Sequence, residues 1–178
     1  LELGGNAPFI VFSSADIKLA VKGAMTAKFR NCGQTCVAAN RFLIHKSVYD
    51  EFIETFAKEI CDTLKMGHGM DPDVNLGPLI NETHFKRVSS LVEDAVCKGA
   101  KVIIGGKPAE SLGKLFYEPT ILVDVNKDMD IYSEEIFGPV SQMIKFETDE
   151  EAIQIANDTD VGLAAYFYSQ DISQIPTI

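Results

Sequence analysis

The run FRNCGQTCVAANR, Phe29–Arg41, holds two of the chain's four cysteines, Cys32 and Cys36, with Arg30 just upstream. Cysteines at such a spacing can ligate a metal, form a redox pair, pack in a core or supply a nucleophile. A tetrahedral metal site needs a second Cys/His pair, and none follows, because His45, His68 and His84 are scattered along the chain. A nucleophilic thiolate needs room, exposure and donors close by. Gly33 offers a sharp turn, Gln34 and Thr35 are short polar neighbours, and the backbone N–H of Cys36 itself can face an oxyanion forming on a bound carbonyl. Taken alone, the run supports a buried structural cysteine and a nucleophile equally well.

Two acidic positions could serve such a nucleophile. Glu2, in LELGGNAP, sits between two leucines just before Gly4 and Gly5. A carboxyl among apolar neighbours at a strand end is partly desolvated, which raises its pKa and makes it a usable base near neutrality. A solvated carboxylate in a turn is the plainer reading of that stretch by itself. Glu134 and Glu135, in SEEIFGPV, read on their own as an exposed acidic turn.

These residues must be positioned by regular elements, and the chain alternates two periods. Apolar residues repeat with helical spacing at Ile17, Ala20, Val21, Ala24 and Met25, where Ser14 is the expected cap. A second stripe, in a helix from about Val48 to Leu64, uses Phe52, Ile53, Phe56, Ile60 and Leu64. A third uses Phe85, Val88, Leu91, Val92 and Ala95, with Gly99 as its stop. A fourth helix begins at TDEEAIQIAN, where Thr148 and Glu151 have capping-box spacing. Between them lie short apolar or β-branched runs: FIVF, RFLIH, KVIIGG, TILVDV, SQMIKF and LAAYFYS. The alternation predicts an α/β domain, a mostly parallel sheet flanked by helices. The aperiodic stretch Met66–Leu79 is expected to be a surface loop.

The 178 residues are 46% hydrophobic and 24% charged, enough to build a core and unlike a disordered chain. A net charge of -10 repels phosphate backbones, so nucleic acid is not an expected partner. No apolar run approaches the roughly 18 residues of a membrane-crossing helix, so no membrane partner is expected either. Cys61 and Cys97 fall in helical patterns and are expected to be small buried or half-buried side chains. The chain opens on LELGGNAP without a methionine and ends at SQIPTI in what reads as the start of a helix, so it is taken as part of something longer.

LELGGNAP, FRNCGQTCVAAN and SEEIFGPV occur in that order, and together they resemble the signature segments of the NAD(P)-dependent aldehyde dehydrogenases. The resemblance extends through YEPTIL and NDTDVGLAAYFYS over essentially the whole chain. It implies that the chain is that family's catalytic domain, truncated, with most of the cofactor-binding domain and the C-terminal oligomerisation arm absent. It also implies a mechanism. Cys36 attacks an aldehyde to give a thiohemiacetal, oxidation by NAD or NADP leaves a thioester on Cys36, and Glu2 activates the water that hydrolyses it. Glu135 would hold the nicotinamide ribose hydroxyls and Phe137 would border the nicotinamide. The parent enzyme would be a homo-oligomer, a tetramer, while the isolated 178 residues are expected to be inactive, because a base near a chain terminus is poorly held.

Arg30 bears on which aldehyde. A cation at the end of a helix favours the dipole there. An arginine also grips a carboxylate in bidentate fashion. KFRN followed by CGQTC resembles the succinate-semialdehyde dehydrogenase branch of the family, which implies that Arg30 binds the substrate's carboxylate and that the reaction belongs to 4-aminobutyrate degradation. A broad-specificity aldehyde dehydrogenase and an inactive structural chain are the alternatives. Animal members of that branch often carry a second cysteine two residues after the nucleophile; here that position is Ala38, so that disulfide switch is absent in that form and Cys32 is taken as a bystander. Animal members are mitochondrial and many bacterial ones cytoplasmic, and the sequence is more similar to the former.

Overall fold

The computed structural model describes residues 3–174. Six strands form one sheet, β1 (Pro8–Val11), β2 (Arg41–His45), β3 (Lys101–Ile104), β4 (Thr120–Val123), β5 (Val140–Phe146) and β6 (Tyr166–Tyr168). Their order across the sheet is β3-β4-β5-β2-β1-β6, and every neighbouring pair is parallel except β3 with β4. The expected α/β architecture is therefore the one observed. β1 and β4 are buried along their whole length, as strands covered on both faces must be. The antiparallel edge strand β3 is mostly exposed.

The helices are α1 (Ile17–Phe29), α2 (Tyr49–Thr63), α3 (Glu82–Cys97), the single turn α4 (Asp130–Ser133) and α5 (Asp149–Asn157). Each long helix buries most of the stripe its spacing predicts, Ile17, Ala20, Val21 and Ala24 on α1 and Phe52, Ile53, Phe56 and Ile60 on α2, while Met25, Leu64 and Phe85 are half-buried. The cap of α1 differs from expectation. Asp16 accepts the Leu19 N–H at 3.0 Å, whereas the Ser14 hydroxyl accepts from the N–H of Gln170, at 3.1 Å, tying the loop after β1 to the one after β6. In α5, Thr148 accepts from the Glu151 N–H, but the Glu151 carboxylate reaches back to Glu147 N–H, one residue before the cap. Cys61 and Cys97 are exposed, against expectation. Cys61 lies one position past the buried stripe, and Cys97 is the last residue of α3, beyond its final buried position, Ala95.

The topology sets up the site. The sheet places β5, β2 and β1 side by side and parallel, so the segments leading into them emerge next to one another. Those segments carry Glu135 and Phe137, Cys36, and Gly4 to Asn6, respectively. Three regions far apart in sequence thus meet at the N-terminal edges of three adjacent strands. An aromatic cluster backs this edge, with Phe29, at the end of α1, 5.9 Å from Phe56, which lies 5.7 Å from Phe42 on β2.

Candidate active site

The loop that carries Cys36 begins with an unusual turn. Arg30 ends α1, and the next three residues, Asn31, Cys32 and Gly33, all have positive φ, at 53°, 59° and 72°. For the two that are not glycine this conformation costs about 1–2 kcal/mol each. Local bonds offset it: the Asn31 side chain donates to Gln34 O at 2.9 Å, and the Gln34 N–H returns to Asn31 O at 3.1 Å. Cys32 is buried in the core. Gly33 is needed twice, for its φ and because a Cβ there would stand 2.3 Å from the Gly138 carbonyl. The turn reverses the chain and presents Gln34 to Val37 along the rim of the sheet. Gln34 also accepts from Ile80 N–H at 2.9 Å, so the loop is tied to the end of the Met66–Leu79 stretch.

Cys36 is half-buried in this loop. Its carbonyl packs on Gly5, where a Cβ would lie only 2.3 Å from the oxygen. Among the described residues no acceptor meets the Cys36 N–H, which leaves it free for an oxyanion. On the outer side the Tyr166 hydroxyl donates to Val37 O at 2.8 Å. Glu135 joins the same spot: its Oε1 accepts the Gly5 N–H at 2.9 Å, and a Cβ at Gly4 would come within 2.9 Å of its Oε2. The acidic pair is therefore split in role. Glu134 pairs with Arg87 at 2.7 Å near the surface, and Glu135 turns inward.

Several residues with no local signature assemble these parts. The Asn40 carboxamide donates to Asn6 Oδ1 at 2.7 Å and to Glu134 O at 2.9 Å, and accepts from Ile136 N–H at 3.0 Å. Asn6 donates on to Ser133 O at 3.2 Å. From α3, His84 Nε2 bonds Phe137 O at 2.6 Å and Arg87 donates to Glu135 O at 2.6 Å. Phe137, at φ 55°, is thus gripped at its backbone while its ring lines a hollow of about 450 Å³ with Asn31, Gln34 and Leu115. Arg41 is fully buried and holds the C-terminal carbonyls of α5, Ile155 O at 2.6 Å and Ala156 O at 2.9 Å, together with Asn6 O at 3.0 Å. Burial lowers its pKa from the ordinary value.

Arg30 faces outward onto a different surface. It lines a groove of about 410 Å³ with Leu19, Lys22 and Thr26 of α1, and with Thr35 and Val37, the residues on either side of Cys36. Among the described residues no carboxylate lies within ion-pair distance of its guanidinium. Of the residues singled out in the sequence, the structure brings Cys36 and Glu135 together around Gly5, sets Phe137 on one side of the Cys36 loop and places Arg30 on the other. Glu2 lies outside the described residues.

An α/β sheet whose cysteine loop and Gly-Gly segment are tied to an acidic segment from a third strand defines a class. The whole chain, residues 1–178, matches the aldehyde dehydrogenase family, and it belongs to that family. It is 54% identical over 175 residues to mitochondrial succinate-semialdehyde dehydrogenase of Homo sapiens, covering 98% of this chain and 32% of the human protein. It is 50% identical over 174 residues to succinate semialdehyde dehydrogenase of Acinetobacter baylyi, covering 98% of this chain and 36% of that protein. Among solved structures, succinate-semialdehyde dehydrogenase from Burkholderia pseudomallei superposes with a TM-score of 0.96 at 50% identity, over 99% of this chain and 36% of that one. The chain therefore spans about a third of the length of these relatives.

Two outcomes follow from the geometry. Gly5→Ala must displace the Cys36 carbonyl, and overpacking of this kind costs about 1–3 kcal/mol; a urea titration is expected to show that loss together with slower alkylation of Cys36 by iodoacetamide. The second concerns pH. Burial first of all drives the Lys28 amine from 10.5 down to about 7 and the Cys32 thiol up from 9.0 to about 12. Above pH 7 the folded chain gives up the Lys28 proton while the unfolded chain keeps it, so stability rises with pH. Above pH 9 the unfolded chain loses the Cys32 proton that the folded chain retains, which opposes the rise. Urea midpoints are expected to climb from pH 7 to 9 and then level off, and Lys28→Met is expected to remove the climb.

Proposed function

We propose that this chain is the catalytic portion of a longer NAD(P)-dependent aldehyde dehydrogenase that oxidises succinic semialdehyde to succinate, with Cys36 as nucleophile. The observation that carries the substrate is Arg30, a guanidinium with no carboxylate beside it among the described residues, on a groove whose inner wall is the loop of Cys36. A semialdehyde with a terminal carboxylate fits that arrangement, charge on Arg30 and carbonyl carbon toward the thiol. The names of the relatives agree with this choice.

The chain's residues then divide the work. The Cys36 thiolate adds to the aldehyde carbon, and the new oxyanion accepts the free Cys36 N–H. Bound NAD(P)+ supplies the acceptor for the hydride that leaves that carbon, and a thioester on Cys36 remains. Water activated by Glu2 releases succinate and returns the thiolate. Glu135 and Phe137 fit a nicotinamide riboside. The half-buried Glu135 carboxylate is steadied through one oxygen by Gly5 N–H, which leaves the other for ribose hydroxyls, and His84 bonds the Phe137 carbonyl while meeting its ring edge-on. A similar solved structure, 48% identical with a TM-score of 0.96 over 99% of this chain and 36% of that one, is an NADP-dependent enzyme of E. coli. A homotetrameric parent, a role in 4-aminobutyrate degradation and the mitochondrial compartment named for the human relative complete the proposal.

The test compares kcat/KM for succinic semialdehyde and for butanal, which has the same carbon count and no carboxylate, in the full-length enzyme carrying this chain. Removal of a bidentate charged anchor costs about 2 kcal/mol or more, or about 30-fold. Arg30→Ala is expected to lower kcat/KM for succinic semialdehyde by that factor and to leave butanal nearly unchanged. A preference that survives the substitution would return Arg30 to the role of helix-end cation in a general aldehyde dehydrogenase.

A further inference from the structure

Among the described residues, two cationic side chains lie in the core, Lys28 and Arg41. The desolvation of Arg41 is offset by hydrogen bonds to the carbonyls of Asn6, Ile155 and Ala156. Lys28 is 1% exposed and has a single acceptor among the described residues, Ala39 O at 3.1 Å. A methionine of similar length would fill the same space without desolvating an amine. Packing therefore accounts for the stem of Lys28 and not for its nitrogen.

The nitrogen acts on one peptide unit. Ala39 N–H donates to Ala27 O at 2.9 Å, and Ala39 O accepts from Lys28 Nζ, so both backbone groups of Ala39 are bound to the last turn of α1. Upstream, the left-handed turn pins Gln34 to Asn31. Only Thr35 to Ala38 lie between these two anchors, and Cys36 is among them. The amine also feels the Cys32 thiol in the turn before the loop and the Glu135 carboxylate in the segment before β5. It thus stands beneath the nucleophile loop, within the field of the carboxylate that is tied to Gly5.

We propose that Lys28 is a positioning residue for Cys36, its amine fixing the Ala39 carbonyl so that the thiol and the Cys36 N–H are held toward the groove. The proposal rests on the nucleophile role of Cys36 given above. It is independent of which aldehyde the enzyme takes.

The test uses the full-length enzyme and iodoacetamide, with alkylation at Cys36 followed by peptide mass spectrometry across pH about 6 to 9. Lys28→Met is compared with Val21→Ala, a buried change on the same helix away from the loop. Val21→Ala is expected to lower stability alone. Lys28→Met is expected to slow Cys36 alkylation about tenfold and to shift its pH profile, with kcat reduced by a similar factor and KM within about twofold. Should Lys28→Met not fold, Lys28→Leu, which likewise carries no donor, is read in the same way. An alkylation profile and kcat equal to wild type in a folded variant would overturn the proposal. So would equal slowing in Val21→Ala. Because iodoacetamide needs no substrate pocket, failure to oxidise succinic semialdehyde would count against the proposed function and leave this readout standing.

Discussion

The carboxamide of Asn40 lies buried where three parallel strands begin, and the site is organised around the bonds it makes. It joins the Asn6 side chain, the Glu134 carbonyl and the Ile136 N–H, one group from the segment before β1 and two from the segment before β5. Asn40 itself ends the loop that carries Cys36, next to β2. A buried amide of this kind costs several kcal/mol if left without partners and is strongly directional when it has them. Its three bonds tie the segments before β1 and β5 to the end of the loop that carries Cys36. That arrangement brings the Cys36 carbonyl onto Gly5 and the Glu135 carboxylate onto the Gly5 N–H.

The placement is unusual for an α/β sheet. Ligands in open parallel sheets generally bind beyond the carboxyl ends of the strands. Here the candidate site residues lie before β1, β2 and β5, at the opposite edge. Strand ends held by ladder bonds make a rigid base on either side of a sheet. The left-handed turn at Asn31 to Gly33 and the grip of His84 and Arg87 on the Glu134–Phe137 segment extend that rigidity to the loops.

Much of the fold was legible because it rests on local period. The stripes on α1 and α2 and the β-branched runs of β4 and β5 repeat on a scale that a reader of sequence can see. Cys36 and Arg30 were singled out by residue type together with family resemblance, Glu135 and Phe137 by the resemblance alone, and their roles are proposals. The exposure of Cys61 and Cys97 was misread because a helical stripe is narrower than the helix, and one position decides which side of it a residue falls on. The roles of Asn6, Asn40, Lys28, His84 and Arg87 went unread for a different reason. Each acts through a side-chain bond to a backbone group, and the Asn40 and Arg87 contacts with the acidic segment span 94 and 48 residues. No spacing rule encodes such a pair. The one available signal was the presence of a polar residue at a position the pattern otherwise buries, as with Lys28 on the α1 stripe.

The central claim is that Cys36 is the nucleophile and that the segments around Asn40 exist to present it. The most direct measurement is to quench the full-length enzyme with acid during turnover of succinic semialdehyde with NAD+ or NADP+, and to locate the acyl group by peptide mass spectrometry. The account predicts a succinyl thioester on Cys36 and on no other cysteine. Turnover with the acyl group on Cys32, Cys61 or Cys97, or turnover that persists in Cys36→Ala, would contradict it.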